Sequence, residues 1–182
     1  MVQMTIERVR AQDLAATIEL FIEQVYPGDP DGAHDHFSEH AEGQAETFLA
    51  WVEGHFSGYL TLRWQPNDPF FRQHQIPLIH DLLVFPQFQR QGIASRLMDA
   101  AEGLIATRAN EAGITVGLFD AYGPAQRLYA KRGYLPDGRG ACQGRRPLQQ
   151  GETITVDHDL LLWLTKDLSR TLPASQEEDP RA

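Results

Sequence analysis

Residues 82 to 94 read Leu-Leu-Val-Phe-Pro-Gln-Phe-Gln-Arg-Gln-Gly-Ile-Ala, an apolar run halted at Pro86, with Gly92 just ahead of a helical pattern. That order predicts a strand, a tight loop and a helix start. The first amides of a helix have no carbonyl partner inside it, and the helix dipole adds partial positive charge at the same point. An anion fits there, most often a phosphate. Gly92 would let the backbone approach the phosphate, Pro86 would end the strand ladder, and small Ala94 and Ser95 would keep the helix entrance open. The same residues also fit an ordinary strand-to-helix turn, and on their own they leave both readings open.

Working outward, Leu97, Ala101, Leu104, Ile105 and Arg108 continue a one-faced helix from Ala94 to about Asn110, with Gly113 placed to end it. Ile114 to Phe119 is the next strand. Gly123-Pro124 then opens another helix, closed by Gly133. Upstream of the loop, Ile76 to Phe85 is a strand preceded by the turn-rich Gln65-Pro-Asn-Asp-Pro69, a connection that could reach an acceptor pocket. Thr47 to Val52 and Tyr59 to Trp64 form a hairpin across residues 53–58, with Gly58 marking a bulge. At the start, Thr5 to Val9 is a strand, and Asp13 caps a helix carrying Leu14, Ile18, Phe21, Ile22 and Val25. A second helix is expected around His36 to Glu46. Alternation from Thr153 to Thr165 reads as a long final strand, and a polar tail begins at Asp167.

At 182 residues and 42% hydrophobic content the chain suits one soluble domain. No apolar run reaches membrane-spanning length and the first residues lack a signal-peptide pattern, so the cytoplasm is the expected location and no membrane partner is expected. The single Cys142 allows no internal disulfide and reads as a spare thiol. His34, His36 and His40 lack a carboxylate or thiolate partner to complete a metal shell, so they read as polar surface and no metal is expected.

A net charge of -9 argues against a nucleic-acid partner. Its distribution is uneven. From Ala11 to Leu62 there is no lysine or arginine, while Asp13, Glu19, Glu23, Asp29, Asp31, Asp35, Glu39, Glu42, Glu46 and Glu53 are all acidic. Between Arg127 and Arg146 the balance is basic. One stretch suits a cation and the other phosphates, although solvated surfaces would carry the same charges.

Two blocks carry a family resemblance. Gln89-Arg-Gln-Gly-Ile-Ala94, preceded by Val84-Phe-Pro86, fits Gln/Arg-x-x-Gly-x-Gly/Ala after Val-x-Pro. Ala125-Gln-Arg-Leu-Tyr-Ala-Lys-Arg-Gly-Tyr134 fits Ala-x-x-Leu-Tyr-x-Lys-x-Gly-Phe/Tyr. Their order and spacing, with one helix and one strand between, resemble the GNAT N-acetyltransferase superfamily. The resemblance spans residues 1–170 and is strongest from Ile76 to Gly140. It implies an α/β (α+β) fold: a mixed, mostly antiparallel, splayed sheet flanked by helices, in one domain over 1–170, with a disordered tail over 171–182.

The resemblance also implies an acyltransferase that moves an acetyl group from acetyl-CoA, as co-substrate, to a primary amine. By carry-over, the backbone of Leu82, Leu83 and Val84 binds pantetheine, and Gln89, Arg90, Gln91, Gly92, Ile93, Ala94 and Ser95 hold the pyrophosphate. Tyr129 is the acid for the departing thiolate, a phenol of about pKa 10 matched to a thiolate of similar basicity. The Val84 amide polarises the thioester carbonyl. His80 or Asp81 is the base, unless the reaction needs no dedicated one; strand alternation puts His80 in phase with Leu82 and Val84, with Asp81 opposite unless a bulge intervenes. Tyr122 stands where the family often has asparagine. The acidic N-terminal third, which lines the acceptor side in the family, suggests a small cationic amine; a protein or peptide amine, a hydroxyl acceptor and a non-catalytic acyl-CoA-binding module are the alternatives, and a homodimer fits any of them.

Overall fold

The computed structural model describes residues 3–40 and 42–169, so the expected tail at 171–182 lies outside the described residues. In chain order the elements are β1 (Met4–Arg8), α1 (Leu14–Gln24), α2 (Pro30–Phe37), β2 (Ala45–Val52), β3 (His55–Arg63), α3 (Pro69–Gln73), β4 (Leu78–Val84), α4 (Ile93–Ile105), β5 (Glu111–Gly117), α5 (Gly123–Lys131), β6 (Leu135–Gln143), β7 (Arg146–Pro147) and β8 (Leu160–Asp167). The strands form one sheet in the order β1-β2-β3-β4-β5-β8-β6-β7. Every neighbouring pair is antiparallel except β4 and β5.

Period-two alternation sorts the side chains onto two faces. Phe48, Ala50, Leu60, Leu62, Ile79 and Ile114 join Leu97, Met98, Ala101 and Ile105 of α4 in the main core. Leu49, Phe56 and Tyr59 face the other way and meet Phe21 of α1 with Ala33 and Phe37 of α2. The one parallel pair is short: β4 and β5 match only at Leu78 with Gly113 and Ile79 with Ile114. Beyond Ile79 the two strands part, leaving the later half of β4 with an open edge toward β5.

Several boundaries differ from the sequence expectation. Asp29 and Pro30 start α2 earlier, the Asp29 side chain accepting from the Gly32 amide, and Phe37 ends it; Glu46 already lies in β2. Asp13 offers α1 no side-chain cap. The hairpin turn is only Glu53 and Gly54, both at positive φ, and a register irregularity does fall beside Gly58. Gly113 does not end a helix. It sits inside β5, where a Cβ would collide with the buried ring of Phe71. The final strand starts at Leu160, because Val156 is exposed and Ile154 lies outside any strand. Leu168 does not begin a solvated tail but packs into the core.

β6 and β7 are additional strands. β6 carries an irregularity between Pro136 and Ala141, and Arg139, within it, bridges Asp68 and Asp137, each at 2.8 Å. Those carboxylates are 0% and 2% exposed, and the guanidinium lies against the rings of Phe70, Phe71 and Trp163. Removing one partner of such a group leaves charge buried without compensation. Arg139→Met should therefore cost about 3 kcal/mol or more of stability, read as a lower urea midpoint; a loss under about 1 kcal/mol would mean the carboxylates reach water instead.

Candidate active site

The stretch from residue 82 to 94 leaves the sheet at the open edge of β4. Phe85 N–H donates to Ser57 O of the segment beside it at 3.0 Å. Amide directions alternate along a strand, so Leu83 also faces β3 while Leu82 and Val84 turn their N–H and C=O groups into the gap toward β5. The chain then turns through Pro86–Phe88, where Gln89 Nε2 donates to Val84 O at 3.1 Å. Arg90 and Gly92 take positive φ, +61° and +83°, and Gly92 is the N-cap of α4 with no side chain capping it. The first-turn amides of Ile93, Ala94 and Ser95 thus lack a side-chain acceptor. A Cβ at Gly92 would meet no protein atom within 4 Å, so the backbone angle, not protein crowding, calls for glycine there.

Tyr129 lies on α5, 6% exposed, and burial followed by the neighbouring Tyr122 pushes its phenol up to about 12. Tyr122 packs where a side chain on Gly117 would strike its ring, and its hydroxyl is 3.1 Å from His158 Nδ1.

On its face toward α1 and α2, β4 carries an irregularity. Thr61 pairs with His80 and Tyr59 with Leu83, so the register slips between them, and Asp81 takes φ +49°. The slip removes one residue from the alternation. His80 consequently shares the face of Thr61, toward α1 and α2, whereas Leu82 and Val84 pack on the main core. The expectation that His80 runs in phase with Leu82 and Val84 is corrected here: a bulge separates them. The same bulge brings Asp81 to His80's side. Asp81 Oδ2 lies 3.1 Å from His80 Nε2 and 3.5 Å from His36 Nδ1, with 36% of the side chain exposed.

Behind Asp81 stands a buried polar chain that no sequence pattern announced. His36 Nε2 is 2.9 Å from Thr61 Oγ1, which is 2.9 Å from Thr47 Oγ1, which is 2.8 Å from His40 Nε2. The Tyr26 hydroxyl lies 3.2 Å from His36 Nδ1. Burial and then the Asp81 charge push the Tyr26 and Tyr59 phenols up. His36 and His40 are therefore interior groups and not the polar surface expected, with only His34 of the three exposed. Among the described residues, no group of three or more His, Cys, Asp or Glu side chains is placed to hold a metal ion. In the acidic N-terminal stretch Glu39 and Glu46 pair with Arg63 and Arg8, the other eight acids are exposed, and Asp13 and Glu46 line a cavity between β1 and the start of α1. The carboxylate at the site is Asp81, outside that stretch.

Burial lowers the pKa of His36 and of His40 to about 4, and lowers that of His80 against the opposing pull of Asp81. In the unfolded chain a histidine titrates near pH ~6.5. As pH falls through that value the unfolded state binds protons first, so stability is complete above it and drains away toward the folded value. The slope is at most about 1.4 kcal/mol per pH unit per histidine. Melting temperatures should fall between pH 7 and 5, and the fall should be shallower in His36→Gln, which removes one of these protons; identical slopes would show that His36 is not buried neutral.

The model of the Acetyltransferase (GNAT) family matches residues 14–134, a span holding the 86–92 loop, the Asp81 bulge and Tyr129. The chain belongs to the GNAT acetyltransferase family. As a GNAT acyltransferase it is similar in fold to several solved structures. One is yncA from Salmonella typhimurium, solved with its cofactor acetyl-CoA: TM-score 0.61, 16% identity, covering 98% of each chain. Another is the dodecameric spermidine N-acetyltransferase from Vibrio cholerae, at TM-score 0.63 and 16% identity over 96% of this chain and 99% of that one. A third is the Salmonella typhimurium acetyltransferase that modifies the N-terminal serine of ribosomal protein L7/L12, at TM-score 0.61 and 13% identity over 90% and 94%. At these identities the likeness is one of fold. No curated protein sequence matches this GNAT chain. Among its described residues no helix is long and apolar enough to cross a membrane.

Proposed function

We propose that this GNAT acyltransferase moves an acetyl group from acetyl-CoA to the primary amine of a small acceptor that carries positive charge. The observation that carries the reading is the bulge in β4, which sets a histidine–carboxylate pair on the same strand whose open edge suits the donor. When bound, acetyl-CoA supplies the acetyl group as an activated thioester. The uncapped amides of Ile93, Ala94 and Ser95, with Gln89, Arg90, Gln91 and Gly92, hold the pyrophosphate. Backbone groups of Leu82 and Val84 take the pantetheine, with Leu83 between them keeping the strand on β3. Val84 N–H meets the charge that grows on the carbonyl oxygen.

A carboxylate 3.1 Å from His80 Nε2 favours the tautomer with its proton on that nitrogen. Nδ1 is then the acceptor for the proton of the attacking amine, and Asp81 stabilises the imidazolium that forms. The N–C bond forms as the C–S bond breaks, and the Tyr129 hydroxyl donates a hydrogen bond to the departing sulfur. Burial pushes its phenol up to about 12, so the hydroxyl stays protonated at neutral pH and steadies the departing thiolate as a hydrogen-bond donor. The proton taken by His80 therefore returns to sulfur through solvent. Asp81 also gives an acceptor's ammonium a counter-charge, beside the rings of Tyr26 and Tyr59.

The exposure of Asp81 favours a second reading, in which the amine belongs to a peptide, as in the Salmonella enzyme that acts on L7/L12. Self-association, at least to a homodimer, accompanies either reading, in line with the dodecameric Vibrio cholerae enzyme, and is measured by light scattering. A panel of spermidine, tyramine, a serine-first peptide and a lysine peptide, each with acetyl-CoA, separates the readings by mass spectrometry of the products. Turnover of anionic acceptors alone would end the cationic proposal. With the best acceptor, Tyr129→Phe should lower kcat about tenfold to a hundredfold and leave acetyl-CoA binding intact; an unchanged kcat would remove Tyr129 from the mechanism.

A further inference from the structure

His36 is 4% exposed, packed against the rings of Phe21, Phe37 and Tyr59, and lies on α2, far in sequence from either family block. Its Nδ1 faces two polar groups, the Tyr26 hydroxyl at 3.2 Å and the Asp81 carboxylate at 3.5 Å. Asp81 only accepts and the Tyr26 hydroxyl can accept as well as donate, so a proton on Nδ1 suits both neighbours, whereas a lone pair there would face the carboxylate. Nε2 then holds a lone pair, and the Thr61 hydroxyl at 2.9 Å must donate to it. Having spent its proton, Thr61 Oγ1 accepts from the Thr47 hydroxyl, and Thr47 Oγ1 accepts from His40 Nε2–H. Each hydroxyl donates once and accepts once. Four hydrogen positions thus point in one direction, from His40 through Thr47, Thr61 and His36 to the carboxylate.

The end of that chain is a strained one. Positive φ costs most non-glycine residues roughly 1–2 kcal/mol and aspartate less, and Asp81 sits at φ +49°. Such strain persists only where the surroundings over-determine it. Asp81 has two close polar neighbours, His80 on its own strand and His36 on α2, and only the second is anchored from outside β4.

Resting on the reading of His80 and Asp81 as the base pair, we infer that His36 is a positioning residue for acetyl transfer: its Nδ1–H, fixed by the Thr61–Thr47–His40 chain, holds the Asp81 carboxylate in the bulge against His80. The plainer role, satisfying buried hydroxyls, is served by either tautomer; only the Nδ1–H form aims a donor at Asp81. Lowered proton affinity from burial keeps both His36 and His40 neutral at physiological pH, so the chain conveys orientation and not charge.

Thr61→Val keeps the side-chain volume and removes the link; Thr61→Ser keeps the link. In histidine-15N-labelled protein without any acceptor, long-range proton–nitrogen correlation should show His36 as the Nδ1–H tautomer in the native chain and in Thr61→Ser, and as a mixture in Thr61→Val. With the fastest amine of the panel above, Thr61→Val should lower kcat about tenfold, with the KM for acetyl-CoA unchanged and Thr61→Ser restoring the rate. A native Nε2–H tautomer overturns the proposal without recourse to activity. A kcat within twofold of native in Thr61→Val, beside a large loss in Asp81→Asn, would overturn positioning alone. A native kcat in Asp81→Asn would instead remove the base pair, and positioning with it.

Discussion

Acetyl-CoA at a hundred times its Kd should stabilise the native chain by about 2.7 kcal/mol, roughly 5 to 10 °C of melting temperature at this size, and Gly92→Glu should show none of that shift. Two effects act together at this position. The residue caps α4 at φ +83°, an angle that costs a side-chain-bearing residue roughly 1–2 kcal/mol. Its new side chain would also meet no protein atom near Cβ, and its carboxylate could turn to the uncapped amides of Ile93, Ala94 and Ser95, where a phosphate would otherwise sit. Gly92→Ala separates the two, since it carries the strain without the charge. Both variants should melt lower than the native chain when free, but only Gly92→Ala should still respond to acetyl-CoA. A full shift in Gly92→Glu would refute the pyrophosphate assignment.

The strand, loop and helix start over residues 82–94 were legible in sequence because their determinants are local. Pro86, Gly92, Pro124 and Gly133 punctuate the chain wherever a strand stops or a helix starts or ends, and the apolar spacing of α4 follows from one face packing on the sheet. What was misread depends on partners distant in the chain. Gly113 looks like a helix stop until Phe71, from a different segment, occupies the space of its missing side chain. β6 escaped notice because its Pro136, Gly138 and Gly140 are not strand formers and only Cys142 along it is fully buried, so no alternation marks it. Ile154 and Val156 show the converse: they alternate, yet neither lies in a strand and Val156 is exposed.

At the acceptor side the limit was sharper. His36, His40, Thr47 and Thr61 are unremarkable polar residues in sequence, and only the crossing of α2 over β2 and β3 turns them into one hydrogen-bonded line. The bulge at Asp81 has no glycine to signal it, and a single slipped residue reverses which side chains share a face. His80 and Asp81 could be named as candidates from their neighbours in the motif, but that they meet could not. The acidic stretch was only partly legible for a related reason: charge counted along the chain does not say which carboxylates are exposed or already paired with arginine.

Asp81→Asn should lower kcat at neutral pH by about ten- to a hundredfold, and the direction in which its pH profile moves identifies the base. Asparagine is among the residues that best tolerate positive φ, so the bulge at φ +49° survives and the change is mainly one of charge. Burial lowers the proton affinity of His80, and the Asp81 carboxylate is the largest influence raising it again. Without that carboxylate the imidazole holds a proton less well. A base must be deprotonated to act, so the acid limb of kcat/KM should move to lower pH while the plateau drops, because a weaker base takes the amine proton less readily. If Asp81 were itself the base, the limb would vanish along with the rate, and His80→Gln would leave most of the activity in place. If the limb stayed where it was, the 3.1 Å contact would have no bearing on proton transfer, and the acceptor amine would have to lose its proton to water.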